Sequence, residues 1–147
     1  MDNQVMHDRN RRWFLKATGA TIATAALAGC TGDDNGAADG DWEDVRTIVL
    51  EAYATHWEGV EPDFIAGDEN MTLVLYEGEE YTIEWINGDN VTHDIEIQDG
   101  DGNVLHVSDE VSTQGESTEL TFTATDDMAR YECSWHRGVQ AGDIEVR

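Results

Sequence analysis

From Trp42 to Arg147 the sequence predicts an all-β domain, a two-sheet Greek-key sandwich of about seven to eight strands. Three observations carry that expectation: short runs rich in β-branched and aromatic residues, turn signals between them, and a span of about a hundred residues, the size of one domain. Almost nothing in this span repeats at helical spacing.

Thr47-Ile48-Val49-Leu50-Glu51-Ala52-Tyr53 is the first run, followed by Met71-Thr72-Leu73-Val74-Leu75-Tyr76 and Tyr81-Thr82-Ile83-Glu84-Trp85-Ile86. Each half-buries one face. Glu77-Gly78-Glu79 separates the second from the third, and Asn87-Gly88-Asp89-Asn90 ends the third. His93-Asp94-Ile95-Glu96-Ile97 follows, closed by Asp99-Gly100-Asp101-Gly102, which lacks the full calcium-loop pattern with its terminal glutamate and so reads as a hairpin turn. His106 closes the short strand Val104-Leu105-His106-Val107. Thr118-Glu119-Leu120-Thr121-Phe122-Thr123-Ala124 leads through Asp126-Asp127 to the last strands, Ala129 to Cys133 and Asp143-Ile144-Glu145-Val146. Tyr131, two residues before Cys133, has the placement of a tyrosine corner, with plain aromatic packing as the alternative. His56 lies in Thr55-His56-Trp57-Glu58, which reads as an early loop.

An address precedes this domain. Asn10-Arg11-Arg12-Trp13-Phe14-Leu15-Lys16 is a twin-arginine pattern, and the uncharged, weakly apolar run from Ala17 to Gly29 is too short for the roughly twenty residues of a membrane-spanning helix. Residues 1–29 therefore read as a signal peptide for export by the twin-arginine route. Leu27-Ala28-Gly29-Cys30 resembles a lipoprotein-processing box, which would place a lipid on Cys30 and the domain at the outer face of the cell membrane. The alternative is an unmodified Cys30 in a discarded leader. Residues 30–41 carry no large apolar side chain and read as a flexible acidic linker, leaving 42–147 as the folded domain.

The formal net charge is −24, and Arg9, Arg11, Arg12 and Lys16 all belong to the leader. Only Arg46, Arg130, Arg137 and Arg147 remain as bases beyond it, so the domain would repel nucleic acid and anionic membrane surfaces. Such an acidic, lysine-free surface resembles those of proteins from extreme halophiles. An acidic disordered chain is the rival, but the β-type runs and four tryptophans of the domain favour a packed core.

The cysteine count focuses the functional question. Only Cys30 and Cys133 exist, so Cys133 has no disulfide partner inside the domain. It is either a small buried hydrophobe or a ligand. Tyr131-Glu132-Cys133-Ser134-Trp135-His136-Arg137-Gly138-Val139-Gln140 sets a thiol, an imidazole and an amide on one short loop, and His93 offers a second imidazole. Soft sulfur suits copper(I) and imidazole suits copper(II), so such a set serves both oxidation states of one copper ion with little rearrangement.

These residues resemble the cupredoxins, the blue copper family that includes plastocyanin, amicyanin, pseudoazurin and the halocyanins. The resemblance runs from about Thr47 to Arg147 and rests on Glu84-Trp85-Ile86-Asn87-Gly88-Asp89-Asn90-Val91-Thr92-His93, on Tyr131-Glu132-Cys133-Ser134-Trp135-His136, and on the closing Gly142-Asp143-Ile144-Glu145-Val146. It implies His93, Cys133 and His136 as metal ligands. Family members usually supply an axial methionine, and no methionine follows Met128. Counting back from Gly142 puts Gln140 at that position, as an axial oxygen donor; the alternative leaves Gln140 in solvent with Val139 capping the metal. A second departure is Asp94, where plastocyanin-like sequences often carry asparagine. It puts in doubt the bond bracing the two ligand loops, unless the carboxylate only accepts.

The implied function is a monomeric, non-enzymatic carrier shuttling single electrons, with Trp135 and Val139 as an apolar docking patch for a respiratory complex, an oxidase or a reductase. A non-redox copper module for storage, delivery or protection is the alternative, although Met-rich and His-rich runs are missing. Multicopper enzymes need more histidines than His56, His93, His106 and His136, and structural zinc usually takes more cysteines. His56 and His106 read as surface or structural residues, and His7 goes with the leader. Asn70-Met71-Thr72 and Asn90-Val91-Thr92 are glycosylation sequons, the second abutting His93.

Overall fold

The computed structural model describes residues 40–147. The signal peptide of residues 1–29, lipidation at Cys30 and most of the linker lie outside the described residues. No helix among those described is long and apolar enough to cross a membrane.

Nine strands are described: β1 (Thr47–Tyr53), β2 (His56–Glu61), β3 (Leu73–Leu75), β4 (Glu80–Asn87), β5 (Glu96–Asp99), β6 (Val104–Val107), β7 (Ser117–Thr123), β8 (Met128–Glu132) and β9 (Ala141–Val146). They form two sheets, ordered β2-β1-β4-β7 and β3-β9-β8-β5-β6. The pairs β1/β4 and β3/β9 are parallel and the others antiparallel. The predicted all-β, two-sheet sandwich is therefore the observed one.

Period-two patterning explains the core. Along β4, Tyr81, Ile83, Trp85 and Asn87 are buried while Thr82, Glu84 and Ile86 are half-buried, so one face of the strand meets the opposite sheet. Trp85 and Trp57 meet edge to face at 5.7 Å between ring centroids, and both are fully buried. Burying each such side chain contributes about 1.5–3 kcal/mol.

The ninth strand is β2, where a loop was expected. His56 opens it, pairing opposite Tyr53 across a two-residue turn, Ala54-Thr55, that contains none of the usual turn residues. Its Gly59 also weakens the strand pattern. That glycine is needed by packing, because a Cβ there would come within 2.2 Å of the Ile65 carbonyl oxygen.

Two further differences bear on the site. The fourth predicted run starts late: β5 begins at Glu96, and His93 instead bridges Val111 through N–H···O bonds of 3.1 Å in both directions. Tyr131 does not form a local corner. Its hydroxyl donates to the carbonyl of Met71 at 2.5 Å, sixty residues back in the chain. Burial pushes the Tyr131 hydroxyl well above its ordinary pKa, which keeps the proton needed for that bond.

Candidate metal centre

Three loops at one end of the sandwich build the site. The β4–β5 loop is organised by Asn87, which is buried and uses its whole amide. Its Nδ2 donates to the carbonyls of Val91 (2.7 Å) and Val111 (3.0 Å), while Oδ1 accepts from the amides of Asp89 (3.0 Å) and Asn90 (2.8 Å). This network delivers His93, fully buried, to the interior. Asp89 then orients the ring: its Oδ1 accepts from His93 Nε2 at 2.7 Å, and its Oδ2 from the Ala54 amide at 2.7 Å. Burial pushes the Asp89 carboxyl up, but the bonds from His93 and Ala54 outweigh it and hold the group below the ordinary carboxylate value.

The β8–β9 loop brings the other candidates. Cys133 directly follows β8 as a free, fully buried thiol. Its carbonyl accepts from the His136 amide, the His136 carbonyl accepts from the amides of Val139 and Gln140, and the Gln140 carbonyl accepts from the Cys133 amide. The loop is thereby closed on itself, with Gly138 at φ 77° allowing the reversal. Outside it, Arg137 Nη1 donates to Glu96 and Glu132 at 3.1 and 3.2 Å, and the Gly138 amide donates to Glu132 Oε2 at 2.6 Å. Burial pushes the Glu132 carboxyl up; the Gly138 amide, Gln98 and the two arginines overcome that and hold it low.

The ligand atoms of His93, Cys133 and His136 all lie within 4.8 Å of one another, a group able to hold a metal ion. Cys133 Sγ is 3.5 Å from His136 Nδ1 and 3.9 Å from His93 Nδ1. Gln140, which the sequence left between ligand and solvent, is fully buried, and its Oε1 sits 2.9 Å from His93 Nδ1 and 3.0 Å from His136 Nδ1. With the His93 proton held on Nε2 by Asp89, Nδ1 turns a lone pair toward that oxygen. Two acceptors so close call for a cation, so the donor set fits a metal. Among the described residues Gln140 Nε2 has no hydrogen-bond partner.

Burial pushes the Cys133 thiol up, and the Asp94 carboxylate adds to that rise against the pull of the Asp94, Trp135 and His136 amides. The sulfur therefore favours its proton until a metal displaces it. The bracing bond that Asp94 put in doubt is present: its Oδ1 accepts from the Ser134 amide and its Oδ2 from the Ser134 hydroxyl.

The remaining histidines stay apart. His56 stacks on Tyr53 and faces Glu58 and Glu69, and His106 stacks on Phe122. Sequence reasoning gave Asn70 only as a sequon. Its Oδ1 accepts from the Trp57 amide and its Nδ2, the atom a glycan would occupy, donates to the Val139 carbonyl, tying the loop before β3 to the ligand loop. The sole sequence signal for Asp89 was the N-x-D pattern ahead of His93. Trp135, Val139 and Val91 are the large apolar side chains left exposed near the site.

Two mixed sheets with a His-Cys-His group at one end give this chain the cupredoxin fold, and a twin-arginine signal sequence precedes it. Residues 10–28 match the twin-arginine translocation (TAT) pathway signal sequence. The halocyanin of Natronomonas pharaonis is 29% identical over 155 aligned positions, covering 90% of this chain and 93% of that protein. Auracyanin A of Chloroflexus aurantiacus, a "blue" copper protein, superposes with a TM-score of 0.50 at 19% identity, over 69% of this chain and 98% of its own. The auracyanin of Roseiflexus castenholzii does so with a TM-score of 0.52 at 16% identity, over 69% of this chain and 96% of its own.

Proposed function

We propose that this protein is an exported electron carrier in which His93 Nδ1, Cys133 Sγ and His136 Nδ1 would hold one copper ion, with Gln140 Oε1 as a fourth donor. The carrying observation is the convergence of those four atoms at one end of the sandwich, where His93, Cys133 and Gln140 are buried and His136 is half-buried. Copper supplies the one-electron couple. The chain's residues do the rest. Asp89 keeps the proton of His93 on the outer nitrogen, so that Nδ1 is free to ligate. The closed loop from Cys133 to Gln140, clamped by Arg137 and Glu132, holds three donors in one arrangement, which limits rearrangement when the charge on the metal changes.

His136 lies in the loop that also exposes Trp135 and Val139, and Val91 is exposed on the β4–β5 loop that carries His93. These side chains form an apolar rim through which a redox partner would dock, a respiratory complex, an oxidase or a reductase. Residues 1–29 act as the export signal, residues 30–41 as a linker lipidated at Cys30, and residues 42–147 as the monomeric domain at the outer face of the membrane.

Titration of the metal-free domain with copper(II) tests this reading. An intense thiolate-to-copper band at one equivalent, abolished in Cys133→Ala, is expected; a pale tetragonal spectrum would favour the copper storage or delivery alternative. Metal analysis of protein from its native host, finding zinc in place of copper, would remove the redox proposal.

A further inference from the structure

Asp94 immediately follows His93 and is only 5% exposed. Its Oδ1 accepts from the Ser134 amide at 2.8 Å and its Oδ2 from the Ser134 hydroxyl at 2.7 Å. Because Ser134 follows Cys133, the pair ties the segment supplying a ligand nitrogen to the segment supplying the sulfur. An asparagine could make that tie as well. What asparagine cannot supply is charge.

Among the described residues no cation pairs with this carboxylate. Arg130 is engaged by Glu132 and Arg137 by Glu96 and Glu132, and His93 gives its Nε2 proton to Asp89. The ligand group thus lies between two acids of the same loop, Asp89 bonded to the outer nitrogen of His93 and Asp94 joined to the residue after Cys133. A negative charge buried beside a metal favours the more positive oxidation state, and burial protects it from salt screening.

We propose that Asp94 is a positioning residue whose fixed negative charge also biases the site toward copper(II), lowering its reduction potential beyond the effect of Gln140. This rests on the copper reading above. The equilibrium concerned is the gain of one electron by copper(II) to give copper(I), with no bond made or broken at Asp94.

Asp94→Asn keeps an acceptor for the Ser134 amide and removes the charge. Its Cu(I):Cu(II) ratio at fixed potential should rise about tenfold or more, which for a one-electron couple is about 59 mV. The rise should persist in molar potassium chloride. On the metal-free protein, chelator competition should show Cu(I) affinity gaining on Cu(II) affinity by the same factor. Ser134→Ala is the opposing control, since it removes a donor and leaves the charge less neutralised: its potential should stay level or fall while its urea midpoint drops. Should Asp94→Asn not fold, Asp94→Ser carries the same test. An unchanged potential in the neutral variant, or a rise in Ser134→Ala equal to it, overturns the proposal and leaves Asp94 a brace alone. Absence of the thiolate-to-copper band in the unsubstituted protein would instead strike the copper reading itself.

Discussion

A single amide shows how much one residue contributes here. Gln140 is buried with its oxygen against both imidazole nitrogens, and oxygen is a harder donor than a thioether, so as a ligand it would favour copper(II). Gln140→Met should therefore raise the reduction potential and shift the visible spectrum; if potentiometry and spectroscopy both show no change, Gln140 is not a ligand. Tyr131 acts by a different route. Its hydroxyl satisfies the buried Met71 carbonyl, so Tyr131→Phe should cost about 1–3 kcal/mol of stability by leaving that acceptor unpaired. Urea unfolding of the metal-free domain would measure the loss, and an unshifted midpoint would mean that the bond contributes nothing net.

At the level of elements, the β5–β6 hairpin turns on Asp99. Its Oδ1 accepts from the amides of Asp101 and Asn103, each at 2.9 Å, and its Oδ2 from Asn103 Nδ2 at 3.0 Å. Those bonds, the Asn103 side chain foremost, hold the exposed Asp99 carboxyl below its ordinary value of 3.8. A depressed folded value means the turn gains stability above the ordinary pKa and loses it as the pH falls through the lower, folded one. Acidification should accordingly loosen this turn below about pH 4, with faster amide exchange at Asn103 than at strand β8; equal exchange at both would contradict the role given to Asp99. The same turn explains why an Asp-Gly-Asp-Gly run serves as a reversal, with Gly102 at φ 88°.

For the molecule as a whole, the dominant physical fact is a formal charge of −24 with few bases to offset it. Like charges on a compact surface repel, and salt screens them over about 3 Å at molar strength. The thermal midpoint of the metal-free domain should climb steeply as potassium chloride rises toward molar concentrations. A flat or falling curve would show that the acidic surface does not oppose folding. Under the same conditions long-range steering of a partner weakens, so docking by the proposed route would depend on short-range contacts such as the exposed Trp135, Val139 and Val91 could make.

The sequence alone determined what local chemistry can determine. Alternating β-branched and aromatic runs marked eight of the nine strands, because side-chain period is a property of the strand itself. The residue types of His93, Cys133 and His136 marked the site, because few other sets suit both oxidation states of copper. Only the tertiary structure decided the rest. Strand β2 exists through pairing with β1 and the packing of Gly59 on Ile65, neither of which its own residues announce. Gln140 faces the site because it meets His93, forty-seven positions away in the chain. Asp94 and Asn70 became a brace and a loop tie, and Asp89 was fixed by the Ala54 amide, through the same cause: a polar side chain takes its role from the partners that folding brings to it, and those lie far off along the chain.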